Sequence, residues 1–253
     1  MLYAPLEQFQ ILSILSINIF SFDFSITNFL LINVLALICY ISFIYFNSSN
    51  NNYLQESSFY FTPNAWQKSI EFISEITSQL ITDTIATDND KYFPFIAMLF
   101  NFILFSNLIG LVPYSFTATS HLIVTFLLSF SVFIGVNIIT FAKYKMKTFS
   151  LFLPANTTFF LALVLVPLEF ISYIVKPVSL GVRLFINLMA GHSLLKVIVG
   201  FAWSMLLVES LTSFGLIIPM VILVVLFGLE LGVALIQTYV FIVLTCIYIQ
   251  DGS

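Results

Sequence analysis

Charge is the scarcest thing in this sequence. Only 8% of the 253 residues are charged, while 60% are apolar and 30 are phenylalanine. That balance leaves a water-soluble protein of this length without enough polar surface, so a soluble globular domain is excluded. Basic runs that could follow a nucleic-acid backbone are missing and the net charge is −4, which excludes nucleic acid as a partner. Cysteine is limited to Cys39 and Cys246, in separate apolar runs where small packing residues are expected; they do not report a redox compartment. No Lys or Arg precedes Lys68 and Glu7 is acidic, so the amino end has neither a basic signal region nor the Arg-rich face of a transit peptide. The expectation is a protein inserted where it is made, without an import signal. Period-2 alternation is also missing, which excludes a transmembrane barrel. Finally, there is one arginine, Arg183.

What is present is a set of apolar windows of about 20 residues, each enough to cross about 30 Å of hydrocarbon as a helix. The expected fold class is therefore an all-α integral membrane protein, in one membrane domain over 1–253. It has about five membrane helices and one amphipathic surface helix. Asp23, Ser25 and Thr27 are helix-start residues for a first span over 26–46, which the Asn47–Asn52 run stops. Thr62-Pro63-Asn64 opens a helix over 63–87 with Trp66, Ile70, Ile73, Ile76, Leu80, Ile81 and Ile85 on one face. Lys68, Glu71, Glu75, Ser78, Gln79 and Thr82 lie on the other, so the helix should rest on a membrane surface or a partner rather than cross. Spans 2 and 3 form a hairpin over 93–141. The cluster Lys143-Tyr144-Lys145-Met146-Lys147 follows and, by the positive-inside rule, lies on the inner side. Counting back three spans puts the amino terminus outside. His121, at the polar boundary of the third span, is expected to be a solvated end residue.

From 154 to 250 the chain is apolar apart from a turn over Ser204–Ser213. Two helices of about 45 and 40 residues would be about 65 and 60 Å long, twice the hydrocarbon thickness, so they cannot stand upright. Either they break at Pro167, Pro177 and Pro219, or they form a long, strongly tilted antiparallel hairpin held along a partner surface. The hairpin is favoured.

Inside it, Glu169, Lys176 and Arg183 are spaced by seven and Asn187 follows four later, all within one face; Glu230 and Gln237 share a face of the second helix. Polar residues stacked this way line a wet path or bond one another, because each alone would be costly in lipid. With the turn near Ser210, Arg183 should face Gln237, and His192 should lie level with Glu230. Glu169 falls on the inner flank. A titratable group on each side of a fixed positive charge is what two proton paths need. His192 is nine residues past Arg183, the opposite face of an ideal helix. Lys176 and Lys196 can equally snorkel to an interface, and Gly181, Gly191, Gly228 and Gly232, the last two a G-x-x-x-G, are expected at close helix contacts.

The run Ser179-Leu180-Gly181-Val182-Arg183-Leu184-Phe185-Ile186-Asn187-Leu188-Met189-Ala190-Gly191-His192 resembles the core signature of subunit a of the F-type ATP synthase, mitochondrial type. Glu230 to Phe241 resembles that family's last helix. The resemblance implies a proton-translocating stator subunit of the membrane sector, not an enzyme on its own, located in the mitochondrial inner membrane. It implies a c-ring, peripheral-stalk and other membrane-sector subunits and the lipid bilayer as partners, and no cofactor or metal. Lys196 stands where some members carry a second histidine. Arg183 matches the essential arginine that faces the ring. Glu230, His192, Gln237, Asn187 and Glu169 are then the residues of two offset half-channels. The rivals are a proton-coupled secondary transporter or a proton-pumping subunit of a respiratory complex, which would call for repeated halves. No internal repeat is present, and the stacked charges argue against a passive scaffold.

Overall fold

A computed structural model of the chain describes residues 7–19, 22–49, 65–85, 89–112, 115–145, 159–206 and 214–252. Thr62 to Asn64, Met146, Lys147 and the turn around Ser210 lie outside the described residues. Six helices carry the fold: α1 Asn28–Ser49, α2 Ala65–Thr84, α3 Asn89–Gly110, α4 Leu122–Tyr144, α5 Phe159–Leu206 and α6 Phe214–Gly252. Of these, α3, α4, α5 and α6 contain stretches long and apolar enough to cross a membrane, and the apolar part of α1 is Asn28–Ile44.

Ahead of α1 the chain makes two nested antiparallel strand pairs, Ser13–Leu15 with Ile26–Thr27 and Asn18–Ile19 with Phe22–Asp23. Asp23 therefore belongs to a strand, while Thr27 does act as a helix start. Its Oγ1 accepts the Leu30 N–H at 3.4 Å, satisfying one of the free donors of the first turn. Asn28 ties the pairs to the helix: its Oδ1 accepts from Leu12 N and Phe29 N, and its Nδ2 donates to Gln10 O.

The apolar face of α2 is covered by the same chain. Thr77, Leu80, Ile81 and Ile85 are buried against α3 and α6, and Phe72 remains 62% exposed on the polar face. Amphipathic periodicity here reports an intramolecular docking face.

The core runs from α2 through α3 to the hairpin of α5 and α6, with Ile96, Phe100 and Ile103 of α3 beside Phe241, Ile242 and Ile249 of α6. Leu180, Leu184 and Leu188, spaced by four, form the buried stripe of α5. Both long helices continue through their prolines: 48 residues through Pro167 and Pro177, and 39 through Pro219. At 1.5 Å per residue they reach ~72 and ~58 Å, so a bilayer holds them only if they lie far from its normal. Helix α4 packs closely on α5 at Gly181, where an added Cβ would stand 2.7 Å from Ser129 Oγ and 3.0 Å from Thr125 O. By contrast, nothing lies within 4 Å of a Cβ at Gly228 or Gly232 among the described residues, so this G-x-x-x-G makes no close contact inside the chain.

Candidate functional site

The seam between α5 and α6 fixes the site. Its antiparallel register follows from two contacts: Asn187 Nδ2 donates to Gln237 Oε1 at 2.9 Å, and His192 Nδ1 stands 3.3 Å from Glu230 Oε1. Gln237 thus faces Asn187, one turn along from Arg183, which corrects the expected Arg183–Gln237 pairing. His192 and Glu230 are level, as the register predicts. Their side chains are 15% and 4% exposed.

Gly191 makes that burial possible. A Cβ there would lie 2.9 Å from Glu230 Oε1 and 3.2 Å from its Cδ, so the carboxyl group occupies the space a side chain would fill. Glu230 Oε1 and Oε2 and His192 Nε2 are buried without a hydrogen-bond partner among the described residues. Such groups are stable in a protein only when water or a proton shared between them supplies the missing bonds.

Arg183 is exposed, and its guanidinium has no hydrogen bond or ion pair among the described residues. His192 points into the seam instead. The nine-residue step places the exposed arginine and the seam histidine ~13.5 Å apart along the axis. Glu169 is partly buried ~21 Å from Arg183 in the other direction. On that flank the Tyr173 hydroxyl donates to Asn137 of α4. Lys176 does not merely reach for an interface: its Nζ lies 5.9 Å from the Tyr173 ring and 5.2 Å from that of Tyr248. Lys196 is partly buried.

The sequence reading missed α3. Asn107 is 1% exposed, and its Nδ2 donates to Thr238 Oγ1 at 3.2 Å, immediately beside Gln237. Thr238 in turn donates to Ala234 O at 2.9 Å. The signal was the adjacent Ser106-Asn107 pair near the end of an apolar span, where two polar residues in a row need partners.

A multi-pass helical protein that buries an acid–imidazole pair and an amide pair in its longest hairpin, with a lone guanidinium outside, belongs to the ion-translocating class. Residues 10–250 match the ATP synthase A chain family. The chain is 48% identical to ATP synthase subunit a of Pylaiella littoralis, across 100% of this chain and 98% of that protein. It is 43% identical to ATP synthase subunit a of Chondrus crispus, across 98% and 95%, and to that of Marchantia polymorpha, across 98% and 97%. The chain belongs to the ATP synthase A chain family, the proton-translocating membrane-sector subunit of the F-type ATP synthase, and is a multi-pass inner-membrane protein.

Proposed function

We propose that protons enter from the intermembrane side past Glu230 and His192, pass waters oriented by Asn187 and Gln237, and load a carboxyl group on a rotating c-ring. After the ring turns they leave past Glu169 to the matrix. Arg183 draws each returning ring carboxylate into its ionised form and blocks direct passage between the two paths. In this arrangement the amino terminus faces the intermembrane space of the mitochondrion and the Lys143–Lys147 loop faces the matrix.

One observation carries the reading: the guanidinium is exposed, while the titratable pair is buried in the seam with α6. A charge that never titrates is useless as a relay but effective as a fixed counter-charge for a partner's carboxylate. Its exposure gives it access to that partner. A ring surface running along the hairpin would also keep helices longer than the bilayer is thick tilted. Each proton falls through about 2.3 kcal/mol per 100 mV, so a leak past the arginine dissipates the drive.

The test is Arg183→Ala in the assembled enzyme. Proton-driven ATP synthesis should vanish and passive proton leak should appear with assembly intact; normal coupled synthesis would refute the role. Glu230→Gln should slow uptake without opening a leak.

A further inference from the structure

Two aromatic clusters brace the helices, one at the amino end of α4 and one in its carboxyl half. In the first, His121 stacks on Phe116 at 5.0 Å and meets Phe29 of α1 edge-on at 6.2 Å, so it is a packed residue and not a solvated helix end. The second cluster carries a charge. Phe133 of α4 lies 4.9 Å from the Tyr173 ring of α5, and the Tyr173 hydroxyl donates to Asn137 Oδ1 one turn further along α4. The Lys176 ammonium stands 5.9 Å from the Tyr173 ring and 5.2 Å from that of Tyr248. One cation thus bridges α5 to α6, and one of its two rings is bonded to α4. A half-buried ammonium over ring faces is held more strongly than one in water, because less hydration competes with the rings.

This junction sits on a weakened turn of α5. Pro177 has no N–H to donate four residues back, at Tyr173, so the helix can bend or swivel there, and Tyr173 and Lys176 flank that point. The junction is also in register with the amide pair. Eleven residues separate Lys176 from Asn187 on α5, and eleven separate Gln237 from Tyr248 on α6. By contrast, the step from the amide pair to His192 and Glu230 is five residues on one helix and seven on the other. Arg183 lies between the two matched rungs, ~6 Å along the axis from Asn187 and ~10.5 Å from Lys176. Gly181 sets how closely α4 approaches α5 there, but a residue without a side chain cannot resist rotation of the helix about its axis.

We propose that Lys176 is a positioning residue for Arg183: with Tyr173 and Tyr248 it pins α5 to α6 at the Pro177 turn, so that the guanidinium is presented at one fixed height and angle. The inference rests on the barrier role given to Arg183 above, and it assigns Lys176 no contact with the proton. The amide pair holds α5 on one side of Arg183 and the Lys176 pin holds it on the other. With the pin removed, the segment carrying the arginine is fixed at one end only and turns about the proline.

The experiment uses the intact enzyme in its membrane, with assembly read on native gels and with proton-driven ATP synthesis and passive proton leak measured in the same vesicles. Lys176→Met keeps the length of the side chain and removes its charge. It should assemble at the parental level, lose synthesis by roughly tenfold as a misplacement effect, and leak more than the parent but less than Arg183→Ala. Lys176→Arg, which also places a cation over the rings, should restore synthesis and close the leak. Tyr248→Leu should match Lys176→Met, and Tyr248→Phe, which keeps the ring, should match the parent. The double variant Lys176→Met with Tyr248→Leu should be no worse than either single one, because both remove the same pin. Parental coupling in Lys176→Met overturns the proposal, as does a Lys176→Arg variant that leaks as much as Lys176→Met, or additive losses in the double variant. Should Lys176→Met fail to assemble, equal coupling in Tyr248→Leu and Tyr248→Phe overturns the pin. Coupled synthesis in Arg183→Ala would instead remove the barrier role itself, whereas an uncoupled Arg183→Ala beside a coupled Lys176→Met removes the pin alone.

Discussion

The two contact glycines of α5 should respond in opposite ways to the same methyl group. Within a helix, Gly→Ala is intrinsically favourable by about 0.5–1 kcal/mol, so any loss must come from the neighbours. At Gly181 the neighbours include backbone: Thr125 O at 3.0 Å and Phe126 Cα at 3.3 Å, with Ser129 Oγ at 2.7 Å. These cannot swing aside, so α4 and α5 must separate. Overpacking of this kind costs about 1–3 kcal/mol, which outweighs the helix gain, and Gly181→Ala should lower the thermal stability and yield of assembled enzyme. At Gly191 all three nearest atoms belong to the Glu230 side chain, with Oε1 at 2.9 Å. A flexible carboxyl group yields by rotating about half an ångström to regain ordinary contact, so stability should hold or rise. The same rotation disturbs the 3.3 Å approach to His192. Gly191→Ala should therefore assemble normally and lose proton flux several-fold, a pure misplacement effect. Native-gel assembly and thermal inactivation report the first quantity; proton-driven ATP synthesis in membrane vesicles reports the second. Wild-type flux in a fully assembled Gly191→Ala enzyme would refute the claim that the position of Glu230 limits uptake.

Arg183→Lys should lose coupling almost as fully as the alanine variant, because an ammonium lacks the planar fork and can give up its proton; retained coupling in a proton-leak assay would show that charge alone suffices. Asn187→Leu should destabilise by about 1–3 kcal/mol because it strips Gln237 of its partner, and adding Gln237→Leu should restore stability without restoring flux. Recovery of both would make the amide pair structural. Burial takes the His121 imidazole below its ordinary pKa of 6.5, because desolvation disfavours the cation. The folded state then binds fewer protons than the unfolded one, so this contribution to stability is present above 6.5 and declines as pH falls beneath it. Unfolding scans between pH 7.5 and 5.5 should show a decline that His121→Phe removes; an identical decline in the variant would exclude His121 as its source.

Helix number and the register of the long hairpin were legible because they rest on length and periodicity, which composition dictates directly. The His192–Glu230 level emerged from counting residues back from a turn. Counting erred by one turn at Asn187 and Gln237, since the two contacts do not share one offset and the register drifts along the helices. The contribution of α3 was hidden for a different reason: Ser106 and Asn107 are far in sequence from the hairpin, and only tertiary packing brings Asn107 to Thr238. The strand pairs before α1 were illegible because they are two or three residues long and are secured by the Asn28 side chain rather than by an apolar alternation.

On the proposed mechanism, the separation of Arg183 from the seam pair accounts for why one arginine serves this chain. On the proposed mechanism a second cation in the seam would compete for Glu230, both of whose carboxyl oxygens are without a hydrogen-bond partner among the described residues. A guanidinium 3–4 Å away would hold that carboxylate permanently ionised and stop the exchange. Keeping Arg183 ~13.5 Å from His192 along the axis leaves the Glu230 carboxyl without a fixed cation beside it, while on the proposed mechanism the fixed charge meets only a partner arriving from outside. The stripe Leu180, Leu184 and Leu188, buried between the guanidinium's face and the interior, adds apolar separation between the two. In the proposed mechanism the same helix holds a proton relay and a proton barrier, because the residues that would cancel each other are kept about two and a half turns apart along it.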